Sequence, residues 1–75
     1  MTPERARAFA RCMREASRKA LEASRELAVC AVLLDVSDPA EDVVRASLEG
    51  DRAVLEEMAS RLEGAVEGVE ERKTI

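Results

Sequence analysis

The residues of this chain with the most scope for chemistry are two cysteines, a row of arginines and a group of glutamates. The sequence has 75 residues and no histidine. It therefore offers neither a histidine base for a cysteine nucleophile nor the Glu-x-x-His motif of di-metal helical bundles. Cys12 and Cys30 alone are too few for a zinc site. We expect no catalytic residue, no metal site and no cofactor, and we predict that the protein is not an enzyme.

The glutamates near the C-terminus follow helical spacing. Together, four of them could hold a divalent cation only loosely, because helical spacing spreads carboxylates over a surface instead of enclosing an ion. A solvated acidic helix face is the interpretation that this spacing favours. The four residues are Glu63, Glu67, Glu70 and Glu71.

Four arginines form a patch that suggests a partner. Arg7, Arg11, Arg14 and Arg18 are spaced by 4, 3 and 4 residues, which places them on one stripe of a helix. An arginine stripe is typical of proteins that bind the phosphate backbone of nucleic acids. If the chain forms a dimer of helical hairpins, as predicted below, it resembles the Rop family of plasmid RNA-binding proteins in helix count and in its Met-Thr opening. This resemblance implies nucleic-acid binding as the alternative function.

The two cysteines lie on one predicted helix. Their separation of 18 residues corresponds to roughly 27 Å at about 1.5 Å per residue, too far for a disulfide within that helix. We expect reduced thiols, with an intermolecular disulfide in an antiparallel dimer as the alternative. The N-terminal region is too charged for a signal peptide, and the apolar run is shorter than the roughly 20 residues of a transmembrane helix. We predict a cytoplasmic protein with no membrane contact.

A heptad pattern predicts a long first helix over residues 3–36. Thr2 is a suitable N-cap and Pro3 a suitable first helical residue. Apolar residues then recur at alternating steps of three and four, as in a coiled coil. These positions, called the heptad seam below, are Ala6, Phe9, Met13, Ala16, Ala20, Ala23, Leu27, Cys30 and Leu34.

The segment Val36-Ser37-Asp38-Pro39 predicts the turn between two helices, because proline cannot continue the first one. Asp38 is expected to cap a second helix over residues 39–72. At Gly50-Asp51 an alternative remains open, in which Gly50 ends the helix and Asp51 caps a third. The heptad pattern continues across that site and favours one helix, with apolar positions Val44, Leu48, Leu55, Met58 or Ala59, Leu62, Ala65 or Val66, and Val69.

The two helices are predicted to form one antiparallel hairpin, a single all-α domain over residues 1–75. When the chain is folded about its turn, residues whose numbers sum to about 75 face each other, and apolar residues meet apolar residues. Residues 1–34 carry a net charge of +3 and residues 35–75 a net charge of -7, so the halves attract each other. The expected polar pairs are Arg5–Glu70, Arg18–Glu57, Lys19–Glu56 and Ser24–Asp51.

Residues 27–34, Leu-Ala-Val-Cys-Ala-Val-Leu-Leu, are apolar on every face of the first helix. One neighbouring helix covers only one face. A second copy of the hairpin is the simplest cover and would complete a four-helix bundle. A different helical protein is the alternative partner.

We therefore predict a structural or interaction module, a coiled-coil-like hairpin that self-associates as an antiparallel homodimer. The composition, which lacks Asn, Gln, His, Trp and Tyr, fits either a thermophile or GC-rich genome or a designed or generated protein. The residues predicted at the core and dimer interface are Phe9, Met13, Ala20, Leu27, Cys30, Leu34, Val44, Leu48, Leu55, Leu62 and Val66.

Overall fold

The fold is a hairpin of two long helices, as predicted. A computed structural model describes the backbone of residues 2–73 and the side chains of residues 2–70. Helix α1 spans Pro3–Val32 and helix α2 spans Pro39–Lys73. Contacts such as Ser17 with Ala59 and Ser24 with Glu56 run in opposite directions along the two helices. The helices are therefore antiparallel, and they form a rod with extents of 56 × 14 × 12 Å.

Both predicted N-caps are confirmed by hydrogen bonds. The backbone N–H of Arg5 donates to the Thr2 hydroxyl at 3.2 Å. The Asp38 carboxylate accepts from the backbone N–H groups of Ala40 at 2.9 Å and Glu41 at 3.4 Å. These side chains satisfy amide groups that have no partner inside a helix, and each proline takes the first helical position, where no N–H is needed.

Helix α1 ends at Val32, four residues before the predicted end at 36. The chain tightens beyond Val32, because the N–H groups of Leu33 and Leu34 donate to carbonyls three residues back. The Asp35 carboxylate then accepts from both the backbone N–H and the hydroxyl of Ser37, at 2.9 and 2.6 Å. This local turn competes with helix and fixes the connection to α2.

Helix α2 runs without a break through Gly50 and Asp51. The three-helix alternative is therefore wrong. Leu48 and Leu55, one heptad apart on either side of Gly50, are both half-buried, and packing of this kind outweighs the low helix propensity of one glycine.

The line along which the helices touch is built from small residues. Buried positions in the described chain are Ala6, Ala10, Ser17, Ala20 and Ser24 of α1, and Ala59 and Val66 of α2. The buried serines are satisfied: Ser17 Oγ donates to the Ala59 carbonyl at 3.2 Å and lies 3.4 Å from Glu63 Oε1, and Ser24 Oγ donates to Glu56 Oε1 at 3.1 Å. Small side chains let the two helices approach closely but bury little apolar area.

The heptad seam was wrong about every second position of this line. Ala6 and Ala20 are buried as predicted, whereas Ala16 and Cys30 are exposed and Ala23 is half-buried. The buried positions follow one residue after Phe9, Ala16 and Ala23, at Ala10, Ser17 and Ser24. The seam predicted from apolar character alone is thus rotated by about 50° from the line of contact, because one residue subtends about 100° of the helix.

The register is close to the prediction, but the predicted polar pairs across the hairpin are wrong. Ser17 and Ala59, which touch, sum to 76. Arg18 binds Glu15 and Glu22 on its own helix, since partners three and four residues away are nearer than α2. Glu57 binds Arg61, Glu56 accepts from Ser24 in place of Lys19, and Glu70 binds Arg14 instead of Arg5. Asp51 is exposed.

Replacing a small contact residue by a large one should force the helices apart. Ser17 is 1% exposed, so Ser17→Leu is expected to lower the free energy of unfolding by roughly 1–3 kcal/mol through overpacking. Ser17→Ala is the control, with a change below about 1 kcal/mol, because the lost hydrogen bond is partly offset by better helix propensity. Urea denaturation at one protein concentration measures both; equal effects would contradict close packing at Ser17.

A glycine that faces open space should tolerate a methyl group. A Cβ built on Gly64 meets nothing within 4 Å, so Gly64→Ala is expected to raise the free energy of unfolding by about 1 kcal/mol through helix propensity. The exposed Ala53 provides the reverse control, since Ala53→Gly should lower it by a similar amount. Destabilisation by Gly64→Ala, measured by thermal denaturation, would mean that another chain lies against this glycine.

Candidate assembly surface

The hairpin has two long sides flanking the contact line, and hydrogen bonds identify one of them. Glu56, Glu63 and Glu70 of α2 recur every seven residues, and each contacts a residue of α1 from the same side: Ser24, Ser17 and Arg14 respectively. Positions seven residues apart keep nearly the same angular position on a helix. We call this the charged side; it also carries Arg7, Asp42 and Glu49, and its apolar members are Leu21 and Ala28.

The opposite side is apolar along its length, and we call it the apolar side. On α1 it consists of the residues one position before Ala10, Ser17, Ser24 and their heptad equivalent Ala31, and on α2 of the residues one position before Ala59 and its heptad equivalents. Asp51 is the charged member of this set of eight. The set is Phe9, Ala16, Ala23 and Cys30 of α1, and Val44, Asp51, Met58 and Ala65 of α2.

Large apolar side chains on and near the apolar side are incompletely covered. Phe9 is half-buried, while Val44 and Met58 are 48% and 46% exposed. Larger residues closer to the contact line, such as Leu48 and Leu55, are also only half-buried. Val66 is the one large apolar side chain among residues 2–70 that the hairpin buries. Burial of these residues is therefore incomplete within a single chain.

Exposed apolar residues concentrate toward the turn. We call residues 21–55 the tip half of the hairpin and the remainder the open half. Eight of the nine large apolar side chains that are exposed in the described chain lie in the tip half, and the ninth, Met58, lies three residues beyond it. Within the tip half, four exposed valines near the turn are not members of the apolar side, and we call them the tip cluster: Val29, Val32, Val36 and Val43.

The residues predicted for the core and interface fall into three groups. Ala20 and Val66 are buried within the hairpin. Cys30 and Val44 are exposed and lie on the apolar side. The others are half-buried: Phe9, Met13, Leu27, Leu34, Leu48, Leu55 and Leu62.

Sequence analysis missed the buried serines. Ser17 and Ser24 occupy the contact line, although the seam was chosen from apolar residues only. Their seven-residue spacing, one position after Ala16 and Ala23, was the available signal. Serine is small enough for close helix contact, and its hydroxyl can find an acceptor on the neighbouring helix.

The four arginines of the predicted stripe line one shallow depression together with Ala10, Glu15 and Glu70. Arg14 forms an ion pair with Glu70, and Arg18 forms pairs with Glu15 and Glu22. The hydrogen bond from Arg18 lowers the pKa of Glu15, and the same bond raises the pKa of Arg18. Within the described side chains Arg7 and Arg11 make no ion pair, so two of the four arginines are left to attract an external anion.

Three further features bear on chemistry or membrane contact: the two cysteines, the acidic residues and the apolar segments of the helices. Cys12 and Cys30 are free and exposed. Over the described residues, no three Cys, Asp or Glu side chains are grouped to hold a metal ion; the side chain of Glu71 lies outside this description. No described helix is both long enough and apolar enough to cross a membrane.

Comparison of the chain with protein-family models, with curated proteins and with solved structures finds no match. The charged side and the apolar side of the hairpin are therefore the features that bear on its function.

Proposed function

We propose that this protein is a structural or interaction module without catalytic activity, which assembles when two hairpins pack through their apolar sides into a four-helix bundle. One observation carries the proposal. The heptad seam, which holds the large apolar residues, is rotated from the hairpin's own contact line toward the apolar side. In a four-helix bundle each helix touches two neighbours, so its apolar seam points between them, as this one does.

The area of the apolar side suits a stable dimer. The rod's extents of 56 and 14 Å give that side a footprint of roughly 780 Å², close to the ~800 Å² per partner of a standard interface. A single hairpin leaves most of its large apolar side chains incompletely buried, and chains of this length commonly need oligomerisation to bury enough apolar surface. A second copy provides a surface of matching length and composition.

The sizes of the facing side chains also suit self-assembly. At three of the four levels of the apolar side a larger apolar residue of one helix lies beside a smaller one of the other: Phe9 beside Ala65, Met58 beside Ala16 and Val44 beside Cys30. Two copies can interdigitate such alternating surfaces. A different helical protein would need the same pattern, and the test below detects it as an outcome.

Charges placed on the apolar side should prevent assembly. We expect light scattering coupled to size exclusion to give a mass twice that of the 8.2 kDa chain. Val44→Glu/Met58→Glu should weaken the dimer at least 100-fold, about 2.7 kcal/mol, because carboxylates would be buried without partners. The matched control Ala46→Glu/Ala53→Glu adds the same charge to exposed positions away from the apolar side and should remain dimeric.

Three results would contradict the two-copy bundle. A wild-type monomer with stable helices at all concentrations would leave the apolar side for a different protein. An unchanged mass of the Val44→Glu/Met58→Glu variant would exclude the apolar side as the interface. A mass well above that of a dimer would point to the tip cluster, which a two-copy bundle leaves exposed.

The alternative function is a Rop-like nucleic-acid-binding regulator that uses Arg7, Arg11, Arg14 and Arg18. The supporting observation is that all four line one depression. We rank it second because Arg14 and Arg18 are engaged by carboxylates of the chain itself, and the chain has a net charge of -4. A cytoplasmic location is proposed for either function, since free, exposed thiols suit a reducing compartment.

Gel-shift titration with a structured RNA and with duplex DNA tests this alternative. If the protein is a scaffold only, neither should shift, even at low salt where phosphate contacts are strongest. A salt-sensitive shift that Arg11→Glu abolishes would establish the second function. Arg5→Glu, which changes the net charge equally at an exposed position outside the stripe, is the control and should leave any such shift in place.

A further inference from the structure

We infer that the two copies pack with their turns at opposite ends, so that α1 lies antiparallel against the partner's α1 and α2 against the partner's α2. This inference rests on the proposed function and specifies its topology. A two-fold axis between two apolar sides allows two arrangements. In one, the turns lie at the same end and α1 packs on the partner's α2. In the other, the turns are opposite and each helix packs on its own copy.

Charge separates the two arrangements. The tip half, residues 21–55, has eight acidic and three basic residues, for a net charge of -5. The open half, residues 1–20 and 56–75, has eight acidic and nine basic residues, for a net charge of +1. Turns at the same end would place two strongly acidic halves side by side, within about one Debye length of 8–10 Å. Opposite turns place each acidic half beside a weakly basic one.

Side-chain pairing along α2 supports opposite turns. If the two rods overlap completely, the axis passes beside Glu56, and residues of α2 that face their counterparts have numbers summing to about 112. Val54 then meets the partner's Met58, which joins two half-exposed apolar side chains. Asp51, the charged residue of the apolar side, meets the partner's Arg61, so its carboxylate gains a cation on entering the interface. The other arrangement places Asp51 opposite the partner's Ala23.

The pairing at three further levels of the interface brings no two large side chains together. Val44 meets the partner's Gly68, and a Cβ built on Gly68 has nothing within 4 Å in the hairpin. On α1, at the same overlap, Phe9 meets the partner's Cys30 and Ala16 meets the partner's Ala23. The one cost is beside the axis, where Lys19 approaches the partner's Lys19. Lys19→Ala should therefore tighten the dimer rather than weaken it.

The two cysteines report the topology directly. With opposite turns, Cys12 lies about three residues, or roughly 4.5 Å along the axis, from the level of the partner's Cys30 on an adjacent helix. The distances between like cysteines are then roughly 20–30 Å. With turns at the same end the relation reverses, because like cysteines share a level and unlike ones are roughly 27 Å apart along the axis.

Cross-linking the reduced wild-type dimer with a bismaleimide that spans about one helix–helix spacing, roughly 10 Å, tests this inference. Opposite turns predict a covalent dimer on a denaturing gel for the wild type. Cys12→Ala and Cys30→Ala should each lose at least nine-tenths of it, because each keeps only like cysteines. Light scattering on the same variants checks that both remain dimeric. Both cysteines are exposed in the hairpin, so the reagent can reach them before assembly.

The outcomes separate this inference from the proposal on which it rests. Efficient cross-linking of either single-cysteine variant would place the turns at the same end and overturn the topology, while the bundle would stand. A dimer by mass without a cross-link in the wild type would overturn the topology as well. A monomeric wild type would overturn both. In a second test, Asp51→Arg should weaken the dimer at least tenfold, and Asp51→Arg/Arg61→Asp should restore it.

Discussion

The two helices contact each other along a line of mostly alanine and serine, and this contact determines where the large apolar residues of the hairpin can lie. Side chains as small as those of Ala20 and Ser17 are buried between the helices, and they allow the two backbones to approach closely. Apart from Val66, the large apolar residues in the described part of the chain are at most half-buried within the hairpin. The hairpin consequently has a tight contact and a thin core, and the apolar area that would normally stabilise a domain is left on its surface.

The two buried serines help to determine which side of the contact line is polar and which side carries the uncovered apolar residues. Ser17 and Ser24 reach toward Glu63 and Glu56, which lie on one side of the contact line. Those glutamates, with the Arg14–Glu70 ion pair, make this side polar and suited to water. Surface ion pairs contribute little stability, about 0–1 kcal/mol each. Their effect here is to leave the large apolar residues facing the other side, where a neighbour can cover them.

Much of the fold could be predicted from local chemistry, and the failures are specific. Asp38-Pro39 and Thr2-Pro3 determine where the helices begin, since a cap followed by proline has few other uses. The end of α1 was harder, because the Asp35–Ser37 turn competes with helix and apolar residues continue past Val32. The contact line was missed because apolar character does not distinguish positions that face the hairpin partner from positions that face a second neighbour. Cys30 and Ala16 fit the same heptad pattern as Ala20, but they lie on the apolar side, whereas Ala20 lies on the contact line.

That rotation of the seam explains why the exposed apolar surface need not be a defect of the sequence. A hairpin that is stable as a monomer is expected to have its large apolar residues on the line between its two helices and polar residues on both flanking sides. This chain places polar residues on the charged side and aligns Phe9, Val44 and Met58 on the other. Basic residues are few in the tip half, so net negative charge concentrates toward the turn. The relative direction of two packed copies therefore affects the electrostatic energy of the dimer, in addition to the burial of apolar area. Apolar packing would hold two copies together, and the uneven charge would favour one of the two ways of aligning them.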